Sequence, residues 1–205
     1  MLPQCRWNET QANGTEARWL EYNCLNRTTC HSGGTLTIDD NRSERLIPFG
    51  VIAGDVTYRG RRAVSLVERD ESIPGRARGA SVALLNDVSF RRGTIEIDVA
   101  GLPRAGADSS LRGFVGMAFH VSDDAAAFRA FYLRPTNGRA QDQLRRNHAT
   151  QYIAMPGYPW QRLRREQPGV YESYPDLVAG EWTPMRIEVG DSTAMLFLTD
   201  LTSRR

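Results

Sequence analysis

The sequence predicts an all-β fold, a β-sandwich of two antiparallel sheets with a short helix in a long loop. Three observations lead to this prediction. Apolar residues recur at every second position in many short segments after about residue 46. Turn-forming residues separate these segments, and one segment alone has a helical pattern. Many short strands with almost no helix are typical of a sandwich.

The first predicted strands form a hairpin and are followed by a strongly alternating segment. "VIAGDVTYR" (51–59) and "RAVSLVE" (62–68) flank Gly60-Arg61, which predicts the hairpin turn. "GASVALL" (79–85) follows. "GTIEIDV" (93–99) places Ile95, Ile97 and Val99 on one face and polar residues on the other.

Two further strands carry small residues beside polar ones. "GFVGMAFHV" (113–121) and "FRAFYLR" (128–134) are joined by a turn near residues 122–126. Small residues on one face of a strand predict open space above the sheet, rimmed there by polar side chains. The small residues are Gly116, Ala118 and Ala130, and the polar ones are His120, Tyr132 and Arg134. "EWTPMRIEV" (181–189) and "TAMLFLT" (193–199) are the last predicted strands.

The character of the chain changes near residue 46, which predicts two parts. Residues 1–45 form a polar appendage in which "TLTI" (35–38) is the one predicted strand, and residues 46–205 form the sandwich. Cys5, Cys24 and Cys30 lie in the appendage, and their odd number allows one disulfide and a free thiol, or no disulfide. The spacing of a four-ligand metal site is missing. We therefore predict no metal and no cofactor.

Charge and hydropathy exclude several classes of function. The formal net charge is +2, and all 26 basic residues are arginine. So small an excess does not predict nucleic-acid binding. A run of 18 apolar residues, phosphate-binding loops and dinucleotide fingerprints are all missing from the sequence, which predicts no membrane span and no nucleotide. The start, "MLPQCRWNETQANGT", lacks the apolar segment of a signal peptide.

The segment from Asn137 to Tyr174 is far longer than an ordinary strand connection. It includes "RRNHATQYIAMPGYPWQRLR" (145–164), which is too aromatic for a disordered linker. Within it, "YPWQRLRREQP" (158–168) predicts a helix of about two turns between prolines. We predict an ordered loop and short helix that pack over the sheet and wall a sugar-sized cleft.

Several of these segments resemble a family of bacterial concanavalin A-like lectin/glucanase domains, also labelled LamG-like or glycosidase-related. They are "RRGTIEIDV", "GFVGMAFHVSDD", "AFYLRPTNGRAQD", "RRNHATQYIAMPGYPWQRLRREQPGVYES" and "EWTPMRIEV". The resemblance covers roughly Val56 to Thr199, and "RRNHATQYIAMPGYPW" is its most specific part. It implies a jelly-roll sandwich and a sugar-related function, commonly in exported proteins. The cellular compartment is not predicted, and the resemblance implies no catalytic residue.

Laminarinase-type glycosidases of this fold carry Glu-x-Asp-x-x-Glu or Glu-x-Asp-x-Glu on one strand, where the carboxylates act as nucleophile, helper and acid/base. In "EIDVAG", Glu96 and Asp98 fit, but Ala100 and Gly101 stand where the second glutamate belongs. We expect Glu96 and Asp98 to form a solvated strand face. Other carboxylates lie in the long segment, and no spacing selects a pair among them: Asp142, Glu166, Glu172 and Asp176.

The predicted function is therefore glycan binding, with the catalytic residues unknown. Flat aromatic rings suit the apolar faces of sugars, and arginine and asparagine donate to hydroxyl pairs. The alternative is a hydrolase or lyase with another acid/base pair in the same cleft. The predicted ligand is an oligo- or polysaccharide, bound by His120, Tyr132, Arg134, Asn137, Arg146, His148, Gln151, Tyr152 and Trp160.

The last strand raises a question about association. Residues 195–198, "MLFL", are apolar on both faces, which favours a strand that is covered on each side. An uncovered edge would promote dimerisation or aggregation. We expect self-association through this edge unless residues before 46 cover it, with "TLTI" as the candidate covering strand.

Overall fold

The computed structural model describes residues 43–68, 81–86, 88–104 and 111–198 in full, and the backbone of three strands that precede them. The strands are β1 Cys5–Asn8, β2 Thr28–His31, β3 Thr35–Ile38, β4 Leu46–Phe49, β5 Val51–Tyr58, β6 Arg61–Glu68, β7 Val82–Leu85, β8 Gly93–Val99, β9 Val115–Phe119, β10 Phe128–Leu133, β11 Thr150–Met155, β12 Glu172–Ser173, β13 Thr183–Val189 and β14 Thr193–Leu198. The α-helices are α1 Gln143–Asn147 and α2 Trp160–Glu166.

The strands form several antiparallel sheets, which confirms the all-β prediction. A six-stranded sheet has the order β1-β14-β13-β8-β2-β3, and a four-stranded sheet has the order β12-β11-β10-β9. Strand β4 pairs with β7, and β5 pairs with β6. Ile95 and Ile187 of the six-stranded sheet share one hydrophobic core with Phe119 and Phe131 of the four-stranded sheet. Each of these sheets therefore has an inner face toward the core and an outer face.

Alternation predicted the inner face of β8 correctly. Ile95, Ile97 and Val99 are at most 2% exposed, and Glu96 between them is exposed. Burying apolar side chains of this size contributes about 1.5–3 kcal/mol each, which fixes the register of the strand.

The hairpin of β5 and β6 is confirmed, but its turn lies one residue earlier than predicted. Tyr58 pairs with Arg61, so Arg59 and Gly60 are the two turn residues. Both have positive φ, 49° and 74°. A two-residue turn with positive φ at both positions matches the right-handed twist of the strands it joins.

The long segment after β10 is more regular than predicted. It contains two strands of the four-stranded sheet, β11 and β12, and the unpredicted helix α1 as well as the predicted α2. The side chain of Asp142 accepts hydrogen bonds from the backbone N–H groups of Leu144 and Arg145, which begins α1. Helix α2 begins after Pro159 and buries Leu163. This segment therefore builds half of the sheet and also lies over it.

The last strand has a partner on both sides. β14 pairs with β13 and also with β1, in the register Cys5 to Leu196 through Asn8 to Thr193. The covering strand is thus "CRWN" and not "TLTI", which is β3 and pairs with β2 at the opposite edge of the sheet. The predicted edge at β14 is a paired strand, which removes the reason given for self-association. Cys24 and the side chains of Cys5 and Cys30 lie outside the described residues.

Candidate functional site

A row of polar residues crosses the outer face of the four-stranded sheet. Tyr132 of β10 pairs with Gln151 of β11, which pairs with Glu172 of β12. Antiparallel partners place their side chains on the same face, about 5 Å apart at Cβ. The neighbours of these residues along each strand, Phe131 and Tyr152, belong to the core. The period of two therefore brings three polar side chains together, from parts of the chain up to 40 residues apart.

Glu172, at the β12 end of this row, has the most contacts with charged side chains. Its side chain is 3% exposed, and its Oε1 lies 2.8 Å from His148 Nδ1 and 3.6 Å from Arg134 Nη1. Arg164 of α2 donates to both carboxylate oxygens, with 3.2 Å between Nε and Oε2. A buried carboxylate is costly unless it is paired and hydrogen-bonded. Here two guanidinium groups and an imidazole surround it. We call Tyr132, Arg134, His148, Gln151, Arg164 and Glu172 the outer-face cluster.

Arg134 is held by contacts on both terminal nitrogens. Nη1 donates to the carbonyl of His148 at 2.9 Å. Nη2 donates to the Tyr132 hydroxyl at 3.1 Å and to Gln151 Oε1 at 3.3 Å. Its side chain is only 7% exposed. Since several bonds fix one planar fork, the arginine is preorganised and loses little freedom when it binds a ligand.

Burial sets the protonation states of the cluster. Desolvation lowers the pKa of His148, helped by the positive charges of Arg164 and Arg134 and opposed by Glu172. Desolvation also raises the pKa of Tyr132, although Arg134 opposes it, and it lowers the pKa of Arg134. At neutral pH the imidazole is therefore neutral and the phenol keeps its proton. Nδ1 of His148 lies close to Glu172 Oε1, but the two atoms are not aligned for a hydrogen bond.

Exposed aromatic rings flank the cluster on two sides. Phe114 is 59% exposed and meets the Tyr132 ring edge to face, with 5.7 Å between centroids. The guanidinium of Arg134 lies over the Phe114 ring at 5.8 Å. Trp160 is 37% exposed, and the Arg164 guanidinium lies 4.6 Å from its centroid. Contacts thus run without interruption from Phe114 through the buried charges to Trp160.

The other predicted site residues lie elsewhere. Asn137 is buried beside the cluster, where it donates to the His148 carbonyl at 3.1 Å. Arg146 donates to the carbonyls of Ala140 and Gln141 and braces the start of α1. Tyr152 is 1% exposed and lies in the core, on the opposite face of β11 from Gln151.

His120 lies away from the cluster, just beyond the end of β9. Its Nε2 lies 2.9 Å from the Arg91 carbonyl, and its Nδ1 lies 2.6 Å from Arg129 Nη1, at the other end of β10 from Arg134. Desolvation lowers its pKa to about 4. A neutral imidazole that donates from Nε2 and accepts at Nδ1 satisfies both contacts.

The open space predicted above the small residues is filled. A Cβ on Gly116 would lie 2.5 Å from Tyr132 Cα and 2.2 Å from the Phe131 carbonyl oxygen. Ala118 and Ala130 are 5% and 7% exposed and belong to the core cluster that also contains Leu163 of α2. The accessible part of this face is instead near Phe114, Arg164 and Trp160.

Glu96 and Asp98 lie on the outer face of the other sheet, as the alternation predicted. Glu96 is exposed, and Asp98 accepts a hydrogen bond from Arg61 Nη1 at 3.0 Å. They are on the far side of the core from the outer-face cluster. Within the described part of the chain, no group of three or more His, Cys, Asp or Glu residues could hold a metal ion. No described helix has the length and apolar character needed to cross a membrane.

The prediction missed three residues of this surface. Phe114 continues the alternation of Gly116, so the period of two was a sufficient signal for it. Glu172 and Arg164 gave no comparable signal, because their position depends on the pairing of β11 with β12 and on the placement of α2. Together the residues offer fixed planar donors, one neutral imidazole and two exposed rings. Comparisons with protein-family models, with curated proteins and with solved structures give no match to this chain.

Proposed function

We propose that the chain is a glycan-binding domain of the concanavalin A-like lectin/glucanase type, with a jelly-roll topology. Its ligand is an oligo- or polysaccharide that lies over the outer face of the four-stranded sheet. The observation that carries the proposal is the uninterrupted contact from Phe114 to Trp160 through Arg134 and Arg164. Two exposed aromatic rings joined by fixed guanidinium groups suit a chain of sugar rings.

The physical case rests on preorganisation. Aromatic rings bind the apolar faces of sugars with little loss of entropy, because their side chains have two rotatable bonds. Arg134 donates one hydrogen bond to Gln151 and others to Tyr132 and the His148 carbonyl, so ligand binding does not have to order it. Millimolar to micromolar affinity corresponds to about 4–8 kcal/mol, which a few such contacts supply.

Binding to a glycan array, followed by calorimetry with the best ligand, tests this proposal. Trp160→Ala, Tyr132→Ala and Arg134→Ala should each weaken binding by about 1–3 kcal/mol, because each removes a ring contact or a hydrogen bond. Phe197→Ala is the matched control. Phe197 also lies under a guanidinium, that of Arg186 at 4.2 Å, but on the outer face of the six-stranded sheet. If Trp160→Ala and Phe197→Ala bind equally well and melt as cooperatively as the wild type, the site is elsewhere.

A second candidate is catalysis in the same place, supported by the contact between His148 and Glu172. The 2.8 Å separation of Nδ1 and Oε1 is short enough for the carboxylate to orient an imidazole base once the ring turns to align the two atoms, which form no hydrogen bond as placed. The lowered pKa of His148 favours the neutral form, and the raised pKa of Tyr132 favours the phenol as a proton donor. Such a pair is independent of Glu96 and Asp98. Mass spectrometry of the bound glycan after incubation tests it: cleavage that His148→Gln abolishes supports an enzyme, and intact glycan contradicts one.

A further inference from the structure

The part of the chain that forms the proposed site carries the positive charge of the whole molecule. Residues 134–176 contain seven arginines and four carboxylates, an excess of three positive charges. The formal net charge of the chain is +2, so all other residues together carry a net charge of −1. The charge is concentrated where the outer-face cluster lies. A uniform distribution would give this segment less than one charge.

Most carboxylates of this segment are already engaged away from the cluster. Glu166 pairs with Arg162 and Arg165, and Asp176 pairs with Arg139. Asp142 caps α1 through backbone N–H groups. Glu166 and Asp176 thus neutralise arginines away from the cluster, and Glu172 is the carboxylate of this segment that contacts the cluster.

Within the outer-face cluster, one carboxylate faces two permanent cations. Arg134 and Arg164 both contact Glu172, and His148 is neutral at pH 7 because burial lowers its pKa. The cluster therefore keeps about one uncompensated positive charge, in a place where low exposure limits screening by salt.

Arg164 is the accessible cation of the pair. Its side chain is 32% exposed, whereas that of Arg134 is 7% exposed. Its Nε and Nη2 donate to Glu172, and among the described residues Nη1 has no acceptor. Stacking on Trp160 holds the guanidinium plane beside an exposed ring. A sugar that stacks on Trp160 would bring its substituents to this guanidinium.

We infer that the glycan is anionic, and that a carboxylate or sulfate group on a sugar ring binds at Arg164 beside Trp160. This inference rests on the proposed glycan-binding function and adds the chemical class of the ligand. Arginine binds both groups through paired N–H donors. An anion at this point balances the charge that Glu172 leaves uncompensated. A neutral sugar would leave this positive charge without a counterion.

Affinity electrophoresis of the full chain through gels that contain a polysaccharide tests the inference. The matched probes are polygalacturonate and its methyl ester, and dextran sulfate and dextran. We expect at least about tenfold tighter binding to the anionic member of one pair, and weaker binding when NaCl is raised from about 0.02 to about 0.2 M. The pair that shows this difference identifies the source of the charge as carboxylate or sulfate.

Substitutions test whether Arg164 is the residue that binds the anionic group. Arg164→Gln should lose about fivefold or more in affinity for the anionic polymer and most of its salt dependence, and Arg164→Lys should keep part of both. Arg186→Gln is the control, because it removes an equally stacked arginine from the other sheet. Equal losses in Arg164→Gln and Arg186→Gln would contradict a local site.

The remaining outcomes separate this inference from the proposed function. Binding of dextran or methyl-esterified polymer as tightly as the anionic form, with a loss in Trp160→Ala, overturns the anionic class and leaves glycan binding intact. Binding of no polysaccharide, in the gels or on the array, overturns both. If oligo-dT binds as tightly as the anionic polysaccharide, the surface binds polyanions in general. That result would also overturn both the anionic-glycan inference and the glycan-binding function.

Discussion

The two large sheets have outer faces that carry the same kinds of side chain in different environments. On the six-stranded sheet, Arg186 and Glu188 form an ion pair with side chains 41% and 35% exposed. On the four-stranded sheet, Arg134 and Glu172 are 7% and 3% exposed. Each face also has an arginine over an aromatic ring, Arg186 on Phe197 and Arg164 on Trp160.

The comparison shows that burial decides which charged side chains lower the free energy of unfolding when they are left unpaired. Exposed pairs exchange contacts with water freely and contribute little. A buried group must be matched by partners, because its desolvation penalty is several kcal/mol. The four-stranded sheet offsets this penalty with a connected network, whereas the ion pair of Arg186 and Glu188 on the six-stranded sheet stays partly exposed. A costly network that ends at exposed aromatic rings is the kind of feature that a binding site maintains.

The largest expected effect is on the buried carboxylate. Glu172→Gln should lower the free energy of unfolding by about 3–5 kcal/mol, because it leaves Arg134 buried without its counterion. Asp98→Asn, which breaks the partly exposed pair with Arg61, should cost at most about 1 kcal/mol. Urea unfolding of both variants measures the difference. Equal losses would mean that the two faces do not differ in the way described.

The next effect concerns packing on the outer face of the four-stranded sheet. Gly116→Ala should destabilise by about 1–3 kcal/mol, since its Cβ meets backbone and Cβ atoms that cannot move independently. Gly54→Ala on β5 is the control, because a Cβ there meets nothing within 4 Å. Thermal melts of both variants decide. If Gly116→Ala is tolerated as well as Gly54→Ala, Tyr132 is not held in the position described.

Acid should destabilise the protein through His120. The unfolded histidine titrates near 6.5 and the folded one at about 4. Between these values the unfolded state binds the extra proton, so the free energy of unfolding falls as the pH drops from 6.5 to 4. We expect a loss on the order of 2 kcal/mol after allowance for screening.

The matched variant for this titration is His120→Asn, because asparagine tolerates the positive φ of 55° at this position. Urea unfolding at several pH values should show a smaller loss of stability for the variant than for the wild type. Parallel curves for the two proteins would assign the acid sensitivity to other groups.

The smallest expected effect is on the other face. Glu96→Gln should change the free energy of unfolding by no more than about 0.5 kcal/mol, since Glu96 is exposed. Any glycan-cleaving activity should also be unchanged, because Glu96 is across the core from the cluster. A hundredfold loss of activity with the fold intact would restore a laminarinase-type site at Glu96 and Asp98.

Local sequence patterns predicted the elements that depend on neighbouring residues alone. The buried face of β8, the hairpin of β5 and β6, and helix α2 followed from periodicity and turn residues. The site did not, because Arg134 and Glu172 are 38 residues apart and meet only through the pairing of β10, β11 and β12. Gln151 and Tyr152 show the limit of prediction from alternation. Neighbours in a strand face opposite sides of the sheet, so only one of the two can lie in the site, and alternation alone does not identify it.

Long-range pairing was the other unpredictable feature. "CRWN" has no strong alternation, yet it forms β1 and pairs with β14 across the length of the chain. Two of the three small residues expected to open a cavity, Ala118 and Ala130, are covered by the core, because sequence does not tell what packs above a strand.

Acrylamide quenching of Trp160 fluorescence, with and without saturating glycan, tests whether a sugar stacks on this ring. The chain has four tryptophans, and Trp160 is 37% exposed. The difference between the wild type and Trp160→Phe isolates its signal from those of the other three. A sugar stacked on this ring excludes the quencher, so we expect a marked fall in the Trp160 quenching constant on saturation. Unchanged quenching of Trp160, while calorimetry records glycan binding, would contradict it.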